Sequence, residues 1–194
     1  MRQAVDLSIL LPFGDDEEII GPAVRRCAHA ARTLGGSFEL LGIDEDSGDN
    51  SHAVLALLRG EVPELRVIHA PGRHRGVDSG AARAQGRVLV LLTPTGAMSP
   101  LDGLGDALAR VDREACDAEI AVGRFTVVNR IKALPALRGV RLPGESMHRR
   151  LAKRFQLQGL RVHMGGVSLP SAERPRGLRA FARWRAPSAT PVSE

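Results

Sequence analysis

Tyrosine is absent from this 194-residue chain, tryptophan occurs once and phenylalanine five times. With so few rings, Ala, Leu, Val and Ile must build the core. The aromatic platforms on which single-stranded nucleic acid stacks are scarce and no nucleic-acid motif is present, so nucleic acid is not an expected partner. Cysteine occurs twice, at Cys27 and Cys116, in no C-x-x-C pair, which argues against a disulfide or zinc framework. No run reaches the ~18 apolar residues of a membrane span. The N-terminus enters an apolar strand almost at once, without the n-region, h-region and cleavage site of a signal peptide. The location expected from these absences is a reducing cytoplasm. Two nucleotide signatures are also missing. There is no G-x-G-x-x-G after the first strand and no G-x-x-x-x-G-K-[ST], so neither a dinucleotide fold nor a P-loop is indicated.

What is present is an ordinary globular composition, 43% apolar, at a length that suits one domain with a sizeable core. The charge is divided unevenly. Residues 1–123 carry 12 basic and 19 acidic side chains, whereas residues 124–194 carry 15 and 3. The acids of the first part sit mostly in loops. A basic segment like the second attracts phosphate of some kind, in a nucleotide or a lipid head group, or else is a solvated rim.

Apolar runs at Val5–Leu11, Phe38–Ile43, Leu65–His69 and Val88–Leu92 read as buried strands. Between them lie helical stretches. One runs from about Pro22 to Leu34 and stops at Gly35-Gly36, one runs from Ser51 to Arg59, and one covers Val77–Gln85. Thr93–Ser99 reads as a loop. Ser99-Pro100 reads as an N-cap followed by proline, starting a helix that runs to about Val111. Ile120–Val128 reads as extended and broken by Gly123, Gly144–Gln158 as helical, and Leu160–Val162 and Val167–Leu169 as short strands. Such alternation predicts an α/β domain with a mainly parallel sheet flanked by helices. Residues 1–125 would form its nucleotide-binding core, 126–185 a basic C-terminal part of the same domain, and 186–194 a disordered tail.

Ligands of open α/β sheets bind beyond the C-terminal ends of the strands. Here those ends read Pro12-Phe13-Gly14-Asp15-Asp16, Asp44-Glu45-Asp46-Ser47-Gly48-Asp49 and Thr93-Pro94-Thr95. Carboxylates there suit recognition of ring N–H and hydroxyl groups. They can also serve as dipole-favoured acids of a first helical turn or as a turn that caps the next helix. Asp49 is best placed for the capping role. Arg73-His74-Arg75 makes a small basic loop after the third strand. A calcium loop is not indicated, because the required glycine and distant Glu are missing.

In order and spacing these segments resemble family 2 glycosyltransferases of the GT-A fold. In that family the first strand ends in P-x-Y-N-E and the second in D-D-G-S-x-D. An N-x-G, an A-x-G-[DE] and a strand ending in D-x-D follow. Here Asp78-Ser79-Gly80, then Ala84-Gln85-Gly86-Arg87, lead to Thr93-Pro94-Thr95 in the D-x-D place. Gly159-Leu160-Arg161-Val162 and Val167-Ser168-Leu169-Pro170 resemble the closing stretches. The resemblance implies a nucleotide site made of Pro12, Phe13, Asp16, Asp44, Glu45, Arg73, Arg75 and Asp78. Glu45 would read a base edge, with Asp44 second. Phe13 would substitute for a stacking Tyr that is Gly14 here, and the arginines would face a pyrophosphate.

Departures from the pattern shape the functional expectation. Thr93 and Thr95 are neutral where a D-x-D would hold a divalent ion, and magnesium and manganese want anionic oxygen. No conventional metal cofactor is therefore expected. Glu145 is the only carboxylate near the place of the general base, and Met147-His148 fall where another register would put it. Two classes stay open. One is a glycosyltransferase using a nucleotide-diphosphate sugar without the usual metal site, with Glu145 as base. The other is a non-catalytic relative that binds a nucleotide or a protein partner. The resemblance also makes an anionic membrane surface a target for the basic C-terminal part. There Leu178, Phe181 and Ala182 share a helical face among Arg174, Arg176, Arg179, Arg183 and Arg185, beside Trp184. The alternative is that Phe181 and Trp184 pack back onto the sheet.

Overall fold

The computed structural model describes residues 5–165. The sheet runs in the order β3-β2-β1-β4-β6-β5-β7. Its strands are β1 (Leu7–Phe13), β2 (Phe38–Asp44), β3 (Leu65–His69), β4 (Val88–Leu92), β5 (Ala118–Ala121), β6 (Phe125–Asn129) and β7 (Val162–Gly165). The first four are mutually parallel, β6 is antiparallel to β4 and to β5, and β7 runs parallel to β5. The seven-stranded, mostly parallel α/β sheet is the one the alternating sequence predicts. The strand expected at Val167–Leu169, the basic helix around Leu178–Trp184 and the tail from residue 186 lie outside the described residues.

Both faces of the sheet are covered, so its central strands are apolar almost without interruption. In β1, alternate residues Leu7, Ile9, Leu11 and Phe13 enter one core with α1 (Glu17–Leu34), α2 (Ser51–Leu58) and α5 (Leu104–Asp112). Leu10 enters the other core with α3 (Gly76–Arg83), α6 (Arg130–Leu137) and α7 (Met147–Leu157). Ser8, also buried on β1, binds the Glu39 carboxylate through its hydroxyl at 2.7 Å and accepts the Gly86 N–H at 2.8 Å. That connection ties β1 and β2 to the turn before β4.

Three stretches differ from the sequence expectation. Thr93–Ser99 is not a loop. Thr93 caps a short helix, α4 (Pro94–Met98), accepting the Gly96 N–H at 2.9 Å, with Pro94 at the first position. The cap-then-proline rule therefore applies at Thr93-Pro94 and not at Ser99-Pro100. The following helix α5 starts later, after Gly103, whose φ of +81° suits glycine. Helix α6 was not expected because Pro135 interrupts its pattern. It forms with its entry capped, the Asn129 side chain accepting the Lys132 N–H.

Candidate functional site

Because β1, β2 and β4 are parallel neighbours, the loops that leave them emerge side by side. They frame a cleft of about 580 Å³. Its floor comes from Pro12–Asp16, Glu45 and Thr93–Gly96, one wall from Arg73 and His74, and the opposite wall from Leu142, Gly144, Met147 and His148. The far wall is fastened to the near one by the Leu142 N–H, which donates to the His74 carbonyl at 2.9 Å. The clustering expected of the loops after Leu11, Ile43 and Leu92 is observed.

The acidic loops spend much of their capacity on one another. Asp49 accepts from Ser51 N–H at 3.0 Å and from Glu17 N–H at 2.9 Å, satisfying first-turn donors of α2 and α1. These bonds hold its carboxyl below the ordinary range, in keeping with a capping role. Asp15, at a φ of +58°, accepts from Gly48 N–H at 2.7 Å and pairs with Arg73 at 3.1 Å. Asp46, at +62°, accepts from Gly72 N–H at 2.6 Å. Asp tolerates the left-handed region better than most residues. Both bends turn a carboxylate toward a neighbouring loop.

Glu45 is the tightest of these ties. Its Oε1 accepts from Gly76 N–H at 2.6 Å and its Oε2 from His74 N–H at 3.1 Å, so one carboxylate caps α3 and shapes the basic loop. Gly76 permits this, since a Cβ there would lie 2.6 Å from the Pro12 Cβ and 2.7 Å from Glu45 Oε1. Burial raises the Glu45 carboxyl above its usual value, and the two backbone bonds partly oppose the rise. Asp16 is half-buried and also raised by burial, and its Oδ2 accepts from Gly14 N–H at 3.0 Å.

Of the residues expected at a nucleotide site, Pro12, Phe13, Asp16, Glu45 and Arg73 line the cleft together with Thr93 and Thr95. Asp44, Arg75 and Asp78 do not. Asp44 is buried, with Oδ1 accepting from Ser47 N–H at 2.9 Å and Oδ2 lying 3.3 Å from His52 Nδ1. Arg75 is the residue before α3, and Asp78 sits in that helix's first turn. Phe13 is only 2% exposed and packs in the core beside Gly42, so its ring is no stacking platform. Glu145 lies in a 3-10 turn, Gly144–Ser146, between cleft residues, and its side chain lies outside what the structure describes.

One side chain escapes the sequence reading. His148, at the second position of α7, is buried and lines the cleft. Its Nδ1 is 2.9 Å from the hydroxyl of Thr126 on β6, and its Nε2 has no partner among the described residues. Burial lowers its pKa to about 4, so the ring is neutral near pH 7. The signal was the coincidence of Met147-His148 with the place of the expected base, which a sequence alone cannot turn into a burial depth.

Among the described residues no group of three or more His, Cys, Asp or Glu is arranged to hold a metal ion. No described helix is long and apolar enough to cross a membrane.

No family model matches the chain. Its fold is that of GT-A-like nucleotide-diphospho-sugar transferases. The mannosyltransferase PcManGT from Pyrobaculum calidifontis, in complex with GDP-Man and Mn2+, matches with a TM-score of 0.68 at 12% identity over 84% of this chain and 55% of that one. S. aureus TarS 1-349 in complex with UDP-GlcNAc gives 0.63 at 12% over 84% and 56%. Glucosyl-3-phosphoglycerate synthase from Mycobacterium tuberculosis, with Mn2+, UDP and glucosyl-3-phosphoglycerate, gives 0.58 at 14% over 88% and 73%. At these identities the likeness is one of fold. The chain spans little more than half the length of the first two proteins.

Proposed function

We propose that this protein binds a nucleoside diphosphate, or a sugar carried on one, in the cleft beyond β1, β2 and β4 without a divalent metal, as a GT-A relative with a degenerate centre. The observation that carries the reading is the use made of Thr93. The fold neighbours named above were seen with Mn2+ or nucleotides at their sites. In this chain the donor set does not fit such an ion. Thr93 Oγ1 is engaged in capping α4, Thr95 is neutral and exposed, and no carboxylate stands beside them in α4. Hard cations require anionic oxygens. The cleft itself is kept, with Asp16 and Glu45 on the floor and Arg73 on its rim.

The expected behaviour is weak binding of UDP or GDP that does not change when Mn2+ is replaced by a chelator. Calorimetric titration of the full chain under both conditions tests it. Metal-dependent micromolar binding would refute the metal-free reading, and no binding of either nucleotide at millimolar concentration would refute the nucleotide reading.

A second reading, a metal-independent glycosyltransferase, is favoured by one observation. The backbone of Glu145 is placed between the cleft residues Gly144 and Met147. Transfer or hydrolysis of a UDP- or GDP-sugar lost in Glu145→Gln would support it. Turnover at the blank rate leaves the non-catalytic binder. An anionic membrane or a protein partner for the basic C-terminal part belongs to the same proposal. Trp184 emission with and without anionic vesicles at low salt distinguishes them, since only lipid insertion shifts it to the blue.

A further inference from the structure

A buried polar edge without a partner is rare and costly in folded proteins, and it marks a place where something else supplies the bond. His148 Nε2 is such an edge. The residue is 3% exposed, it lines the cleft, and among the described residues nothing bonds to Nε2. Which of the two ring nitrogens carries the proton follows from Thr126. That residue is fully buried in β6, and among the described residues His148 Nδ1 is the partner of its hydroxyl.

A neutral imidazole has one donor and one acceptor nitrogen, and a threonine hydroxyl has one donor proton. If Nδ1–H donated to Thr126 Oγ1, the hydroxyl proton would be left without an acceptor and Nε2 would be a bare lone pair. If the hydroxyl donates to Nδ1, Thr126 is satisfied and the proton sits on Nε2. The second arrangement leaves one unmet group where the first leaves two. It makes His148 a donor toward the cleft and not a proton acceptor. The direction of the shift agrees, since burial makes this ring a weak base. The ligand such a donor suits is an oxygen with negative charge. His148 and Met147 are the first two residues of α7, whose positive end thus meets the cleft. The described carboxylates that line the cleft, Asp15, Asp16 and Glu45, lie in the loops after β1 and β2.

We propose that His148 is a specificity-determining donor, its Nε2–H held toward the cleft by the Thr126 hydroxyl and bonding a phosphate oxygen of the bound nucleoside diphosphate. This rests on the nucleotide reading given above. It adds a neutral, tautomer-locked contact to a site that lacks the donor set for a cation.

The test uses the full chain labelled with 15N in histidine. Long-range proton–nitrogen correlations at pH 7 should show His148 with the proton on Nε2. UDP or GDP should shift that proton downfield, and uridine or guanosine should not. His148→Asn keeps an atom near the Nδ1 place but removes the Nε2 donor, and should weaken diphosphate binding at least about tenfold. His148→Gln restores a donor near the Nε2 place and should stay within about threefold of wild type. A proton found on Nδ1, or equal diphosphate affinity in His148→Asn, overturns the inference while leaving nucleotide binding intact. An equal shift with the nucleosides overturns the phosphate assignment. Failure of UDP and GDP to bind the wild type overturns the nucleotide reading and this contact with it. The tautomer measurement needs no variant, so a misfolded substitution cannot hide the answer.

Discussion

Removing the Glu45 carboxylate separates two roles that the sequence could not distinguish. As a reader of a base edge, Glu45 would matter only when ligand is bound. The structure gives it another duty in the free protein, because its oxygens accept the N–H groups of Gly76 and His74. Hydrogen bonds to a charged acceptor contribute roughly 1.5–3 kcal/mol each, and an acid at a helix start about 0.5 kcal/mol more. Two offsets reduce the sum. The side chain is half-buried, so water can reach the freed amides. Burial also raises the carboxyl's pKa, which shows that holding the charge there has a cost.

Glu45→Ala should therefore destabilise the fold by about 2 kcal/mol. Glu45→Gln keeps one acceptor but turns an amide donor toward a backbone N–H, and should lose about 1 kcal/mol. Urea unfolding gives both numbers. Hydrogen exchange at His74 and Gly76 localises them, because these two amides should lose protection ahead of the core strands. Unchanged stability in Glu45→Ala, within about 0.5 kcal/mol, with unchanged exchange at both amides would refute the tether and return Glu45 to ligand recognition alone.

Other outcomes follow from single contacts. His148 has a folded pKa of about 4 against an unfolded value near 6.5, so the unfolded chain binds the extra proton between those values. Its contribution to stability is complete above that window and lost as the pH falls through it. The protein should be about 2 kcal/mol less stable at pH 5 than at pH 7 from this group, and His148→Gln should flatten that slope. Identical urea midpoints in the two proteins across the window would count against it. Asp117 accepts from Lys132 at 2.7 Å and from Arg161 N–H at 2.9 Å, and the Arg161 guanidinium holds its carboxyl well below the usual range. Its contribution is present above about pH 4 and lost on further acidification, so Asp117→Asn should cost about 1–2 kcal/mol at neutral pH and little in strong acid. A penalty that does not shrink on acidification would sink that account. At Gly96 a Cβ would lie 2.6 Å from the Arg124 carbonyl oxygen, and Gly96→Ala should cost about 1–3 kcal/mol in thermal unfolding. An unshifted melt would mean that the turn between β5 and β6 yields freely.

The framework was readable because it rests on runs and order. Val88–Leu92 is apolar at every position since β4 is buried on both faces, and alternation with helices led to the parallel neighbours whose ends make the cleft. What resisted reading depends on partners distant in sequence. Asp44 and Glu45 are adjacent acids after the same strand, yet one turns inward to Ser47 and His52 and the other reaches the start of α3. No local pattern distinguishes them, because the deciding donors lie on other loops. Phe13 had the right position for stacking, but strand alternation points its ring into the core with Leu11 and Ile9. His148 was hidden for the opposite reason. Its helix was legible, but its depth depends on Thr126 in β6.

Thr93 joins the legible and the illegible parts. Read as a departure from D-x-D, it signals a missing charge. Read in three dimensions, it is an N-cap whose oxygen faces the Gly96 N–H, followed by proline at the position where a helix tolerates it best. Gly96 in turn lies against the Arg124 carbonyl, and the turn carrying Arg124 leads into β6, the strand that presents Thr126 to His148. The end of β4 is therefore built as a structural joint with neutral groups at its surface. Restoring one carboxylate at position 93 would give α4 another good cap before it gave the cleft an ion ligand, since aspartate caps helices as well as threonine does. Any diphosphate in this cleft must then be held by fixed donors and the arginine at the rim, and the buried edge of His148 is the donor that the fold has already oriented.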